Sequence, residues 1–224
     1  MFTRYGYDVL WKYCLLAAVV FFIDINVVSN DPVRYGILSL LLIVTIFVLN
    51  FFRDPDRSVP QEDGILVSPA DGKVVVIKQT TEPEYLKGDA VQVSVFMSPL
   101  DVHVNRFPVN GTVQYFRYVK GEYLVAYDDK SSERNERTHI GVEDGGYKVL
   151  FKQIAGAIAR RIVAEVTPGQ QVNIGERFGM IKFGSRVDIL MPKDSAIEVK
   201  LNDRVTAGET IIARYRTPVR KPIS

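Results

Sequence analysis

Gly184-Ser185 is a dipeptide with the parts for an acyl shift. Glycine leaves its carbonyl unshielded and tolerates a strained backbone. The serine that follows can set its hydroxyl against that carbonyl, and backbone N–H groups can hold the oxyanion that results. Taken alone, the pair is also an ordinary turn dipeptide. Other segments carry groups that such chemistry needs. Ser68-Pro69-Ala70-Asp71-Gly72-Lys73-Val74 places Asp71 in an Asp-Gly turn ahead of an apolar run, where an aspartate can also serve only to shape the turn. Ser98-Pro99-Leu100-Asp101-Val102-His103-Val104-Asn105-Arg106-Phe107-Pro108 places His103 in a short, proline-bounded segment. Histidine is the default general base near neutral pH, although a lone histidine is more often a packed or solvated residue. The only other histidine, His139, stands just after Asn135-Glu136-Arg137.

The elements that must position these groups read as β-strands. Val91-Gln92-Val93-Ser94-Val95 alternates at period two, and residues 111–119 and 187–191 read likewise. Ile154, Ile158, Ile162 and Val166 fit a helical stripe, so residues 151–166 are ambiguous. The polar stretch 121–146 reads as a loop. One repeat is visible: Val172, two residues, Gly175-Glu176 matches Val205, two residues, Gly208-Glu209, thirty-three positions on. The glycine suits a tight turn between short strands, and such paired hairpins resemble those of lipoyl and biotinyl carrier domains.

Residues 1–52 differ in character. The stretch 9–23 is apolar except for Lys12, a polar break follows, and 36–52 is apolar again. Each approaches the length that spans a hydrocarbon core, the second more closely. Arg4 and Lys12 precede this region and Arg53 and Arg57 follow it, which favours a helical hairpin with both ends on the cytoplasmic side. A cleaved signal peptide fits less well, because no small-residue cleavage site follows the first stretch. A buried hairpin fits less well, because the second stretch is apolar on all faces. The expected organisation is a membrane-associated hairpin over 1–52 and a β-rich catalytic domain over 53–224, so the fold class is mainly β with an N-terminal α-helical hairpin. The formal charge of +2 leaves no basic footprint for nucleic acid. The single cysteine, Cys14, reads as a buried small apolar residue, and one cysteine with two histidines leaves no disulfide framework and no cysteine- or histidine-rich metal site.

In order and spacing, these blocks resemble the phosphatidylserine decarboxylases, in particular their short form. The resemblance covers nearly the whole chain. It rests on Phe52-Arg53-Asp54-Pro55-Asp56-Arg57, the Ser68–Val74 block, Met97-Ser98-Pro99-Leu100-Asp101-Val102-His103 and Asn135-Glu136-Arg137. It continues through Gly175-Glu176-Arg177-Phe178-Gly179-Met180 and Phe183-Gly184-Ser185-Arg186-Val187-Asp188. It implies a self-processing precursor. The serine attacks the preceding carbonyl to form an ester, β-elimination leaves dehydroalanine, and hydrolysis leaves a pyruvoyl group. Ser185 would become the pyruvoyl terminus of a small chain, 185–224, held to a large chain, 1–184. The pyruvoyl carbonyl would form a Schiff base with the substrate amine and take up the electrons left by CO₂. No metal is implied. The partners implied are a phospholipid substrate and the membrane, with the catalytic domain on the cytoplasmic face of the cell membrane.

The resemblance further implies that Asp71 orients a histidine that deprotonates Ser185. Longer bacterial relatives carry two histidines in Asp-x-His-x-x-His; here the first is His103 and the second position is Arg106. His103 is the favoured acid/base and His139 the competitor. Arg106 is a candidate for the lipid phosphate or the substrate carboxylate. Two alternatives stand beside this reading. One is the same chemistry on a serine phospholipid with ether-linked chains. The other is a membrane-tethered, lipoyl-like carrier using Lys193.

Overall fold

The polar break between the two N-terminal apolar stretches is built as a helix boundary. In the computed structural model, which describes residues 1–121, 135–156, 161–182 and 185–215, α1 runs Tyr7–Val27 and α2 runs Asp31–Phe51. The Asn30 side chain accepts a hydrogen bond from Val33 N–H at 3.3 Å, and Pro32 sits in the first turn, where its missing N–H costs nothing. Tyr13 and Thr45 join the helices by a 2.6 Å hydroxyl contact. Among the described residues, α2 alone is long and apolar enough to cross a membrane. Its 21 residues span about 31 Å, close to the hydrocarbon thickness. Trp11, Leu15, Phe22, Leu40, Ile43 and Ile46 are all exposed, an apolar surface of the kind that marks a lipid or protein contact. Cys14, expected to be buried, is also exposed on α1, because the hairpin presents its apolar residues outward. The chain divides into two compact units, Met1–Asp56 and Arg57–Ser224.

The second unit is β throughout its described residues. Its strands are β1 (Ile65–Val67), β2 (Gly72–Glu82), β3 (Gly88–Met97), β4 (Val104–Arg106), β5 (Gly111–Val119), β6 (Arg137–Asp144) and β7 (Tyr147–Ala155). They continue as β8 (Arg161–Ala164), β9 (Gln171–Val172), β10 (Arg177–Lys182), β11 (Ser185–Pro192), β12 (Ala196–Ile197), β13 (Arg204–Val205) and β14 (Ile211–Arg214). Eight form one antiparallel sheet in the order β13-β2-β3-β11-β7-β6-β5-β9. Two three-stranded sheets, β1-β14-β12 and β4-β10-β8, complete the unit. Val93 and Val95, Ile140 and Val142, Phe151, and Val187 and Ile189 line one face of the large sheet and make its core.

Two sequence expectations change here. The ambiguous 151–166 stretch holds the end of β7 and the whole of β8, and its described residues contain no helix. Leu150 and Ile154 are buried on one side of β7, Phe151 and Ala155 on the other. A strand buried on both faces reads as a continuous apolar run and loses its alternation. The polar stretch 121–146 contains β6, whose inward Ile140 and Val142 were outweighed by polar neighbours; residues 122–134 lie outside the described residues.

The thirty-three-residue repeat is one part of a larger internal duplication. Gly175 and Gly208 both take positive φ, +78° and +76°, as the third residue of a tight turn closed by Glu176 N–H→Asn173 O and Glu209 N–H→Thr206 O. The strands that receive these turns are duplicated too, thirty-nine residues apart. β1 pairs with β14 as β4 pairs with β10, and Val67 N–H→Pro108 O (2.9 Å) mirrors Arg106 N–H→Pro69 O (3.0 Å). Asp71 Oδ1 accepts from Ala207 N–H at 2.8 Å, and Asn110 Oδ1 accepts from Ile174 N–H at the same distance. The β2–β3 and β5–β6 registers shift at matching places, after Val74 and after Val113. One half comprises β1–β3 with β11–β14; the other, β4–β10, is inserted into it. Ser185 opens β11, where the chain returns from the inserted half to the first.

Candidate active site

Ser185 lies where three strands meet. It opens β11 between the last residues of β3 and β7, paired with Met97 on one side and Ala155 on the other. It is fully buried, and its hydroxyl donates to the Met97 thioether at 3.2 Å. The sulfur also takes the Asn105 amide, at 3.8 Å. Gly184 lies outside the described residues.

His103 is also fully buried and immediately precedes β4, which pairs with β10, the strand leading to Ser185. Its carbonyl accepts from Ile181 N–H at 3.4 Å. Its Nδ1 lies 2.9 Å from the Asp101 carbonyl oxygen. A carbonyl only accepts, so Nδ1 carries the proton and the neutral ring has its lone pair on Nε2, the tautomer a general base needs. The Asp101 carboxylate ties the segment down by accepting from Ser98 N–H and Ser98 Oγ, at 2.8 and 2.7 Å.

Asp71 is in the same neighbourhood but does not bond to the imidazole. Its carboxylate accepts from Arg57 Nη2 at 2.7 and 3.0 Å and from Ala207 N–H. Burial raises its pKa above the usual carboxylate range; the Ala207 N–H and Arg57 pull it back, and Asp101 adds to the rise. The duplication separates its two jobs. Asn110 shapes the equivalent turn without a charge, so the turn needs only the oxygen. Asp71→Asn is therefore expected to fold with a loss of about 1.5–3 kcal/mol, the worth of a charged hydrogen bond to Arg57. Self-cleavage should slow at least about tenfold if the charge serves the chemistry. A time course on denaturing gels beside a thermal melt checks this; unchanged cleavage would assign Asp71 to the turn alone.

His139 sits elsewhere. On β6 it faces Lys152 of β7, which faces Asp188 of β11. Asp188 is three residues from Ser185, and odd offsets along a strand point to opposite faces. His139 is thus on the other side of the sheet from the serine. Its Nδ1 donates to Glu84 at 3.0 Å, and its Nε2 accepts from Arg137 at 3.3 Å. Burial, then Lys152, lowers its pKa below 6.5, and Glu84 only partly offsets them. The folded state therefore resists protonation that the unfolded chain accepts. Stability is expected to fall as pH drops below about 6.5, and His139→Gln should flatten that part of the slope in melts between neutral and mildly acidic pH. An unaltered slope would contradict it.

Arg106 ends β4, buried, with Nη1 donating to the Gly175 carbonyl at 2.9 Å. It therefore latches the repeat turn to the strand that follows His103. Met97, Asn105, Gln153 and Arg57 had no assigned role in the sequence. Asn105 and Met97 carried a signal in lying beside His103, and Arg57 in closing the Phe52–Arg57 block; Gln153 fell in the ambiguous stretch.

The surroundings of Ser185 suit a pyruvoyl group made from it. A thioether is a weak acceptor for a hydroxyl and an equally good neighbour for the methyl that would replace it.

The family model for phosphatidylserine decarboxylase matches residues 44–213. A phosphatidylserine decarboxylase proenzyme from Chlorobium phaeovibrioides is 46% identical over 217 residues, covering 97% of this chain and 98% of its own. Another from Chlorobium chlorochromatii is 47% identical over 219 residues, covering 96% and 100%. One from Symbiobacterium thermophilum is 47% identical over 183 residues, covering 81% and 85%. Similarity of this extent, over both units, means that the chain belongs to the phosphatidylserine decarboxylase family.

Proposed function

We propose that this chain is a proenzyme that cuts itself between Gly184 and Ser185 and then decarboxylates phosphatidylserine to phosphatidylethanolamine. The observation that carries the reading is the buried Ser185 hydroxyl at the meeting of β3, β7 and β11, beside a segment holding His103 in the base-competent tautomer. Ser185 Oγ attacks the Gly184 carbonyl carbon and His103 takes its proton. The C–N bond breaks as nitrogen is protonated, leaving an ester. Loss of the Ser185 α-hydrogen expels the Gly184 carboxylate together with the former hydroxyl oxygen and leaves dehydroalanine. Water adds, ammonia leaves, and a pyruvoyl group ends the 185–224 chain. That group supplies an electron sink for the pair left behind by CO₂. His103 is then the candidate to return a proton to the substrate carbon, and Arg106 the candidate to bind the headgroup's phosphate or carboxylate.

The two chains stay together because the small one supplies β11, hydrogen-bonded on both edges, as well as β13 against β2 and β14 against β1. The apolar helix pair attaches the enzyme to the membrane in which its substrate lies, and the basic residues at both ends of the pair favour the cytoplasmic face. Mass spectrometry of purified active protein tests the reading. The small chain should weigh one ammonia less than a 185–224 peptide with a serine terminus, and phosphatidylserine in detergent should yield CO₂. An active preparation with an intact, unmodified chain overturns it.

A further inference from the structure

From Ser185 a line of buried neutral groups runs into the core, and its direction is fixed. Thr138 Oγ1 donates to Gln153 Oε1 at 2.8 Å. Gln153 Nε2 donates to Asn105 Oδ1 at 2.8 Å and to the Val163 carbonyl at 3.4 Å. Asn105 Nδ2 faces the Pro69 carbonyl at 3.4 Å and the Met97 sulfur at 3.8 Å. Carbonyls cannot donate, so Val163 and Pro69 each fix the amide beside them. The outcome is an N–H₂ group aimed at the sulfur that also receives the Ser185 hydroxyl. Thr138, Gln153 and Asn105 are 1%, 0% and 0% exposed.

The fold does not need this line. The duplication equates Thr138 with Val91, Gln153 with Met191 and Asn105 with Leu66. The first half thus builds the same three positions from apolar side chains, all of them in its core. Replacing a complete polar line with apolar groups of similar shape is nearly neutral for stability, so stability does not account for its presence. We propose that Thr138, Gln153 and Asn105 are positioning residues for self-cleavage. Through the Asn105 amide they hold the Met97 sulfur, and through it the Ser185 side chain, in the conformation from which the acyl shift starts. The proposal rests on the self-processing reading above.

The test follows the uncut precursor, refolded or made in a cell-free system, by denaturing gel, with a melt for each variant. Thr138→Val/Gln153→Met/Asn105→Leu copies the other half; it should melt close to wild type yet cleave about tenfold or more slowly, the worth of a lost hydrogen bond or more. Asn105→Asp keeps the shape but turns an acceptor toward the sulfur and the Pro69 carbonyl. It should cleave slowly at neutral pH and recover, relative to wild type, as falling pH protonates the carboxyl and restores a donor. Wild-type rates in both variants overturn the proposal. So does an Asn105→Asp rate that stays low at every pH, which is the behaviour of mere damage. Should the triple variant fail to fold, the Asn105→Asp pH ratio still decides. A wild type that never cleaves overturns the self-processing reading itself, and the positioning role falls with it.

Discussion

Ser185→Ala is expected to leave one uncut chain of 224 residues, folded and without decarboxylase activity. The fold should survive because the substitution removes a single oxygen whose only described hydrogen bond goes to a thioether. That bond is weak, and its loss costs about 1 kcal/mol or less. The position already faces Ala155 across β7, so a methyl fits. Activity should fall by more than about 10⁴-fold, because the nucleophile of the first reaction and the source of the prosthetic group vanish together. Ser185→Thr separates the two effects. It keeps the hydroxyl but forces a methyl into a fully buried position against Met97, so it should cut slowly while still reaching the mature form. Denaturing gels distinguish the precursor from a 184-residue and a 40-residue piece. Efficient cutting of Ser185→Ala would remove the serine from the mechanism, and a Ser185→Ala protein that stays whole yet decarboxylates would remove the pyruvoyl group.

The parts of the molecule legible in the sequence are those where chemistry acts locally. The polar break between the two apolar stretches, the alternation of 91–95 and the Gly175 and Gly208 turns each follow from a few adjacent residues, and the structure forms all three; the second helix starts at Asp31, inside the break. β7 was not legible, because burial on both faces erases the period that marks a strand. The duplication was half legible. Its thirty-three-residue component keeps the Gly-Glu turn, whereas the thirty-nine-residue component keeps hydrogen bonds more faithfully than residue types, with Asp71 set against Asn110 and Leu66 against Asn105. The site shows the same division. His103 and Ser185 stood out as candidates through their residue types together with the family resemblance, but Gln153 reaches their neighbourhood only through the β6–β7–β11 register, which no local pattern encodes. The duplication also supplies what a single sequence lacks, an internal comparison. Where the two halves do the same structural work with different residues, the polar member of the pair is the one with a reason beyond folding.

His103→Asn should slow self-cleavage by about 10²–10⁴-fold, the usual contribution of a general base, while His139→Asn leaves it within about threefold. Asparagine is the informative substitution. Its Nδ2 lies close to where the imidazole Nδ1 was, so it can still donate to the Asp101 carbonyl and keep the 98–103 segment in place. What it loses is the second ring nitrogen, which bears the lone pair in the tautomer that the Asp101 carbonyl enforces. In His139 the second nitrogen is already committed to Arg137 and the first to Glu84, on the face of the sheet away from Ser185. By the same substitution logic His139→Asn can still donate to Glu84 and loses the Nε2 acceptor for Arg137, so it should lower stability modestly and leave the cut alone. Both variants are followed as precursors, by gel for cutting and by CO₂ release for the second reaction. Added imidazole is expected to restore part of the cutting to His103→Ala, where the deleted ring leaves space, and none to His103→Asn. Cutting at the wild-type rate in His103→Asn would move the base to a different residue, and loss of cutting in a folded His139→Asn would require the serine to be reached from the opposite face of the sheet.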